Sequence, residues 1–468
     1  MFKEQEYKKE INEFMLSICK EKLNIQEILS KYVQHKSISG NEQNAGEWLK
    51  NLCKENGLFI KQMGDKDGNY NFAASIYPLS QNLPNIILVN HIDVVPADDT
   101  EKWTFHPFSG KITDTDVWGR GAYDNKGPAI MQLFSIIDIL RKYKEKKLPY
   151  NVTFLAVSCE ETQNEGGIEF VVNNFLKELS PAVVIGEGPP GLKNIVKRKP
   201  NMPIFGVSTS HKRVFWIKLE LEFKSSGHGS VPPPTYVNKE FTFALNRLLK
   251  KKQKVILNKL NTKLLRQFGE KEKGYKAFVL KNPRFFKTFI MHSLRKQPEI
   301  YALFTNTITL TSINSHNDII NSIPEKATAL LDCRLLPLES NKDFLNRLKR
   351  RLKNDNIKVS VIKSMPEMHA SDDKSEFFTH LKNAILNNYP ESDVVSAFVP
   401  NHDDVGFFRI KNVLAFSIIP VIMDIKYLEC IHNTNERIPI SVLSKGQQTY
   451  KDFIERCLLG SDYNNLKK

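Results

Sequence analysis

NVTFLAVSCEETQNEGG, residues 151–167, sets an uncharged, largely apolar run against two adjacent carboxylates, Glu160 and Glu161, and then a glycine pair. The run Asn151 to Val157 reads as a strand of the continuously apolar kind that is covered on both faces. Two negative charges side by side where a buried strand ends are costly unless something compensates them. The stretch therefore predicts both an α/β fold and a charged site at the end of one of its strands.

The surrounding texture extends the pattern. NIILVN (85–90), NVTFLAV (151–157) and AVVIG (182–186) alternate with helical segments at 127–143 and 167–179, which predicts a largely parallel sheet flanked by helices. Ahead of it, residues 5–33 space Phe14, Ile18, Leu23, Ile28 and Tyr32 as an amphipathic helix or two, and residues 43–57 read as another helix. Near His211 the texture changes. VFWIKLELEF (214–223) alternates like an antiparallel strand, and strand, strand, helix, strand follow at 306–314, 326–337, 343–354 and 357–363. From about 366 the helix and strand texture resumes, through VLAFSIIPVI (413–422) to a closing amphipathic helix at 440–459. The expected organisation is a discontinuous catalytic domain, 1–210 and 366–468, interrupted by an α+β domain at 211–365 that carries an extra helical insertion at about 240–305.

Bulk properties narrow the function classes. The 468-residue chain holds 67 Lys and Arg against 52 Asp and Glu, a formal charge of +15. The basic residues are mostly scattered lysines with no nucleic-acid-binding motif among them, so they read as a solvated surface and no nucleic-acid partner is expected. The six cysteines form no CxxC pair, which suits a reduced, cytoplasmic setting. The N-terminus MFKEQEYKKEINEF has no apolar export core, and no run approaches the ~20 apolar residues that span a bilayer, so no membrane partner is expected.

Five polar clusters follow strand-like or loop segments. In VNHIDVVP (89–96), His91 and Asp93 lie two apart, on one side of an extended chain, where the carboxylate can orient the imidazole; alone, the pair is weak and favours a structural histidine. In VWGRGAYDNKGPA (117–129), glycines permit tight turns before Asp124, which could also simply cap the helix that follows. The side chains of Glu160 and Glu161 diverge, so one can bind a cation while the other faces a water. Glu187 in VVIGEGPPG and His432 in CIHNTNERIP complete the set. Two imidazoles and three carboxylates suit Zn²⁺, Co²⁺ or Mn²⁺. Three ligating carboxylates and one hydroxide neutralise two divalent cations, which favours a two-metal site.

In order along the chain, HIDVVP, GRGAYDNKG, the Glu pair with Gly-Gly, GEG, GHGSVPPP, NSIP followed by DCRLLP, and HNTNE resemble the co-catalytic zinc hydrolases that include aminoacylase-1, carboxypeptidase S, acetylornithine deacetylase and succinyl-diaminopimelate desuccinylase. The resemblance implies a zinc-exopeptidase-like catalytic domain with a ferredoxin-like lid and dimerisation domain, two divalent metal ions, most simply Zn²⁺, and a homodimer. It implies that His91, Asp124 and Glu187 hold one metal and Asp124, Glu161 and His432 the other, with Asp124 bridging. Glu160 would be the general base acting on a metal-bound water, and Asp93 would orient His91. His228 would steady the oxyanion, reaching a neighbouring subunit's site in dimeric members. Asn321 and Arg334 would hold substrate, the guanidinium suiting a free carboxylate. The implied reaction is hydrolysis of a peptide or N-acyl amino acid bond next to that carboxylate. A catalytically inactive metal- or ligand-binding member is the alternative, and its mark, a lost ligand or base, is absent. One departure stands out: in PNHDDVGFF (400–408), Asp404 aligns with a family aspartate but Gly406 falls where relatives carry a basic residue.

Overall fold

The computed structural model describes residues 24–64, 69–163, 165–223, 227–295, 298–315 and 319–464. The chain divides into two compact units, Met1–Thr209 with Ser371–Ser396 and Asp403–Lys468, and Ser210–Ala370 with Ala397–His402. The short piece Ala397–His402 lies inside the stretch expected to be wholly catalytic. Its place in the second unit follows from two contacts there: the Lys212 backbone N–H donates to Val399 O at 3.0 Å, and the His402 and His211 rings meet with nitrogens 3.3 Å apart.

The first unit is built on an eight-stranded sheet, of which only the strand ends at 210–211 and 397–399 are grouped with the second unit. From one edge its strands are Phe59–Gln62, Phe72–Ser75, Asn151–Val157, Asn85–His91, Pro181–Gly186, Ala415–Ser417, Ile204–His211 and Asp393–Val399. The four central strands from Asn151–Val157 to Ala415–Ser417 pair in parallel, while pairing at the first edge is antiparallel. Asn85–His91 and Asn151–Val157 are buried along their whole length, as continuous apolar runs covered on both faces must be. Register then decides the chemistry. His91 stands opposite Val157, and Ser417 opposite Gly186. The chain therefore leaves the sheet at one edge just before Glu160, after His91 and just before Glu187, where open parallel sheets place their ligands.

Three elements differ from expectation. VLAFSIIPVI yields only the short strand Ala415–Ser417. The strands Ile204–His211 and Asp393–Val399 carry no readable apolar run, because buried Ser208, Ser210 and Ser396 interrupt them. Of the N-terminal helical pattern, Ile25–Gln34 is a helix capped by the Asn24 side chain, whereas Phe14, Ile18 and Leu23 lie outside the described residues.

Helix Lys126–Lys142 is buried almost throughout, with Ile130, Met131, Leu133 and Ile136 fully inaccessible. The closing helix Ile440–Leu459 covers it, and the two meet at Gly446, where an added Cβ would lie 2.3 Å from Met131 Sδ. Ser135 Oγ donates across the contact to Gln447 O at 2.9 Å.

The second unit carries a four-stranded antiparallel sheet in the order Thr307–Asn314, Lys326–Leu335, Arg213–Glu222, Lys358–Ser364. With helices Val237–Lys250 and Asn341–Leu352 it traces the β-α-β-β-α-β path of a ferredoxin-like unit. Phe215, Ile217, Leu219 and Leu221 alternate inward against Phe241, Leu245 and Leu348. The expected insertion boundary at about 240 falls inside Val237–Lys250. That helix buries Val237, Phe241, Ala244, Leu245 and Leu248 into the unit's own core, so the extra segment begins after Lys250 and has a small core of its own, Val255, Leu265, Val279, Ile290 and Phe304. No helix among the described residues is long and apolar enough to cross a membrane.

Because the helix contact at Gly446 leaves no room for a side chain, Gly446→Val should overpack it and lower the unfolding free energy by about 1–3 kcal/mol. A urea titration checks this, and an unchanged midpoint would show that the two helices pack less closely than described.

Candidate metal centre

The polar residues at the sheet edge form two triads that share one residue. His91, Asp124 and Glu187 bring ligand atoms within 4.8 Å of one another, as do Asp124, Glu161 and His432. His91 Nε2 lies 3.1 Å from both Asp124 Oδ1 and Glu187 Oε2. His432 Nε2 lies 3.2 Å from Asp124 Oδ2 and 3.0 Å from Glu161 Oε2. Each oxygen of Asp124 thus faces a different imidazole, and this carboxylate does not cap the helix behind it, whose N-cap is Asn125 with no side-chain cap bond.

Local sequence explains how each group arrives. His91 ends its strand, and its Nδ1 lies 2.9 Å from the Asp93 backbone carbonyl, while the Asp93 carboxylate stands off at 3.6 Å. That carboxylate also accepts from the backbone N–H groups of Glu160 and Glu161, at 3.1 Å each, and from Ser39 Oγ at 2.7 Å. It fixes the turn carrying the glutamate pair. Gly121, at φ +84°, makes the turn before Asp124 in a region where a Cβ is disfavoured. The Asp124–Asn125 peptide is cis, and Asn125 Nδ2 donates to Glu187 Oε2 at 2.6 Å. His432 sits in a left-handed turn at φ +56° and is half-exposed.

Two residues of the quoted motifs have structural parts that their spacing did not disclose. Glu436, in HNTNE, is 1% exposed; its Oε1 accepts from the Tyr123 and Asp124 N–H groups at 3.1 Å, and its Oε2 accepts from Arg120 at 2.7 Å. The short antiparallel pairing of Arg437–Pro439 with Asp116–Trp118 brings them together. The signal was present as a charged residue four positions after His432 and a second one, Arg120, in GRGAYDNKG. In PNHDDVGFF, Gly406 opens a short helix, and a basic residue three positions on, Arg409, is buried. It pairs with Asp403 at 3.0 Å and donates to Ala415 O and Ser417 Oγ.

The electrostatics follow from crowding. Among the described residues no Lys or Arg forms an ion pair with Asp124, Glu161 or Glu187. Burial pushes Glu161 up to about 7 and Asp404 up to about 8. It lifts Glu160 well above the carboxylate range, aided against the pull of His91 by Asp404, Glu161 and Glu187. Burial also acts to raise Asp124, but hydrogen bonds from His432 and His91 outweigh it and hold that carboxyl below its usual range. Hydrogen bonds to Asp124 and Glu161 push His432 up to about 10. Without metal, protons on the imidazoles supply the missing positive charge. This donor set, three carboxylates lacking basic partners and two imidazoles sharing one of them, fits two divalent cations.

His228, Asn321 and Arg334 belong to the second unit. Strand residues Gly227–His228 pair with Ser322–Ile323, setting the exposed His228 Nε2 3.3 Å from Asn321 Nδ2. Arg334 forks onto Asp332, with Nε 2.9 Å from Oδ1 and Nη2 3.2 Å from Oδ2, and its Nη1 has no partner among the described residues.

A mixed α/β sheet with a two-triad donor cluster at its carboxyl edge, together with a ferredoxin-like unit, defines a candidate dinuclear metallohydrolase. Residues 87–456 match the profile of Peptidase family M20/M25/M40, and the chain belongs to that family. It is a metallohydrolase acting on amide bonds. The chain is 29% identical over 377 residues to a probable carboxypeptidase S-like 2 of Dictyostelium discoideum, covering 80% of this chain and 71% of that one. It is 25% identical over 409 residues to the mouse N-fatty-acyl-amino acid synthase/hydrolase PM20D1, covering 82% and 76%. In fold it matches the M20 family metallo-carboxypeptidase Sso-CP2 of Sulfolobus solfataricus with a TM-score of 0.69 at 20% identity, over 93% of this chain and 99% of that one.

Glu436→Ala would strand the buried Arg120 and free two N–H groups next to Asp124. We expect a loss of about 3–5 kcal/mol in stability and a fall in bound metal, read by urea unfolding and elemental analysis. Unchanged values for both would remove Glu436 from the support of the site.

Proposed function

We propose that this chain hydrolyses a peptide or N-acyl amino acid bond next to a free carboxylate, using two divalent ions, most simply Zn²⁺. His91, Asp124 and Glu187 would hold one ion, and Asp124, Glu161 and His432 the other. The observation that carries this reading is the position of Asp124, with one oxygen 3.1 Å from His91 and the other 3.2 Å from His432. When bound, such ions act as Lewis acids towards the scissile carbonyl and make water acidic enough to attack at neutral pH.

Glu160 is the general base in this reading. Its crowded, desolvated carboxyl has a raised proton affinity, as a group needs that takes a proton from the attacking water and hands it to the departing amine nitrogen. Asp93 positions that base and its neighbour through their backbone N–H groups. On the substrate side, Arg334 keeps Nη1 donors beyond those spent on Asp332, which suits a terminal carboxylate. His228 and Asn321 offer donors for the developing oxyanion. The relatives named as carboxypeptidase S-like and N-fatty-acyl-amino acid synthase/hydrolase agree with this substrate class. The expected homodimer and cytoplasmic setting belong to the same proposal.

Glu160→Gln should keep the metal content of the wild type and lower kcat by roughly 10²–10⁴-fold. Dipeptides and N-acyl amino acids, assayed with Zn²⁺, Co²⁺ and Mn²⁺, provide the screen. Wild-type turnover by the variant would defeat the assignment of the base.

A further inference from the structure

The segment after Lys250 presents a surface of exposed aromatic rings. Tyr275, Phe278, Phe285 and Phe289 are 57–85% exposed, an unusual concentration for a soluble surface, where large apolar residues are normally scattered singly. The rings form one group. Phe286 lies at its centre, 6.3 Å from Tyr275, 5.5 Å from Phe278 and 4.9 Å from Phe285, and Tyr275 meets Phe289 at 6.0 Å, all edge-on. The small core of Val255, Leu265, Val279, Ile290 and Phe304 lies beneath, so these rings are additional to what the segment buries for its own stability.

Charge identifies the occupant. Residues 273–295 contain Lys273, Lys276, Lys281, Arg284, Lys287 and Arg295 and no Asp or Glu. Lys273, Lys281 and Arg284 are exposed and lie within three positions of an exposed ring. Lys276 pairs with Glu272, and Lys287 donates to Val255 O. An apolar knob of aromatic rings interleaved with cations is the composition that inserts at the boundary between headgroups and acyl chains of an anionic bilayer. A second copy of the chain is a poorer match, because a twofold contact would set these cations against each other. A single-stranded nucleic acid is poorer too, because edge-on rings offer no row of parallel faces for successive bases.

We propose that the segment Lys273–Phe289 docks this enzyme on an anionic lipid surface. Tyr275, Phe278, Phe285 and Phe289 enter the interface, and Lys273, Lys281 and Arg284 contact lipid phosphate and carboxylate groups. This departs from the expectation of no membrane partner, which rested on the lack of a spanning segment; the helices here, Gly274–Lys281 and Lys287–Leu294, are of a length to lie on a bilayer and not to cross it.

The test is co-sedimentation of the full-length, metal-loaded enzyme with vesicles of phosphatidylcholine alone and of phosphatidylcholine doped with phosphatidylserine. We expect binding to the doped vesicles that weakens as salt rises. Phe285→Ser with Phe289→Ser should reduce partitioning by at least about tenfold, with an unchanged thermal midpoint because both rings are exposed. Lys281→Glu with Arg284→Glu should abolish the preference for the doped vesicles. Equal pelleting of wild type and the Phe double variant would overturn the proposal, as would no binding to either vesicle. Conversion of a dimer to a monomer by the Phe substitutions, without an effect on vesicles, would assign the face to a second copy. Phe-dependent binding of a single-stranded oligonucleotide without vesicle binding would assign it to nucleic acid. Either outcome overturns the lipid assignment.

Discussion

Three carboxylates, Asp124, Glu161 and Glu187, converge at the edge of the central sheet, and the groups within salt-bridge distance of them are two imidazoles, His91 and His432. Such a cluster is tolerable only if positive charge is delivered into it. Protons on the imidazoles do this in the metal-free protein, and His432 is raised to about 10 as a result. Divalent ions do it better, at the cost of expelling those protons, so metal loading and acid titrate against each other. The local structure follows from meeting that demand at fixed positions.

The scaffold meets it by register. Parallel pairing brings the ends of Asn85–His91 and Asn151–Val157 level, and Pro181–Gly186 and Ala415–Ser417 end level with each other, with Ile185 opposite Leu88. The Asp93 carboxylate, expected to orient His91, lies 3.6 Å from that ring and also clamps the Glu160–Glu161 turn, holding both backbone N–H groups. Glu436 does the same for the Tyr123–Asp124 segment, with Arg120 compensating its charge. Buried pairs of this kind add little net stability compared with apolar residues of the same size. Their value here is positional, since each fixes the backbone that carries a ligand or base. His432 is the exception: it is half-exposed on a left-handed turn, which makes it the most accessible of the five donors.

Much of this was legible in the chain. Strands Asn85–His91 and Asn151–Val157 announce themselves by continuous apolar runs, and helix Ile440–Leu459 by its periodicity. His91, Glu161 and Glu187 were legible as candidate donors because a carboxylate or imidazole at the end of a buried strand is costly to hold there unless it binds a cation or a proton, whereas Asp124 and His432 lie on turns and were legible through the motifs around them. Strands Ile204–His211 and Asp393–Val399 were not, because serines buried among neighbouring strands look in sequence like loop residues. The clamp function of Asp93 was hidden because hydrogen bonds to backbone N–H groups leave no trace in residue spacing. Glu436 and Arg120 stood inside quoted motifs, yet only three-dimensional pairing of two three-residue strands gives them a part. Arg409, just past that loop, is the buried partner of Asp403, a pairing that residue spacing does not announce.

Whether Asp124 lies between two metal ions decides the reading of the whole site. Anomalous diffraction at the zinc edge, on crystals of the zinc-loaded protein, addresses it directly. Two peaks per chain are expected, one beside each oxygen of Asp124, the first also in contact with His91 and Glu187 and the second with Glu161 and His432. A single peak, or two peaks of which neither touches Asp124, would contradict the bridging role.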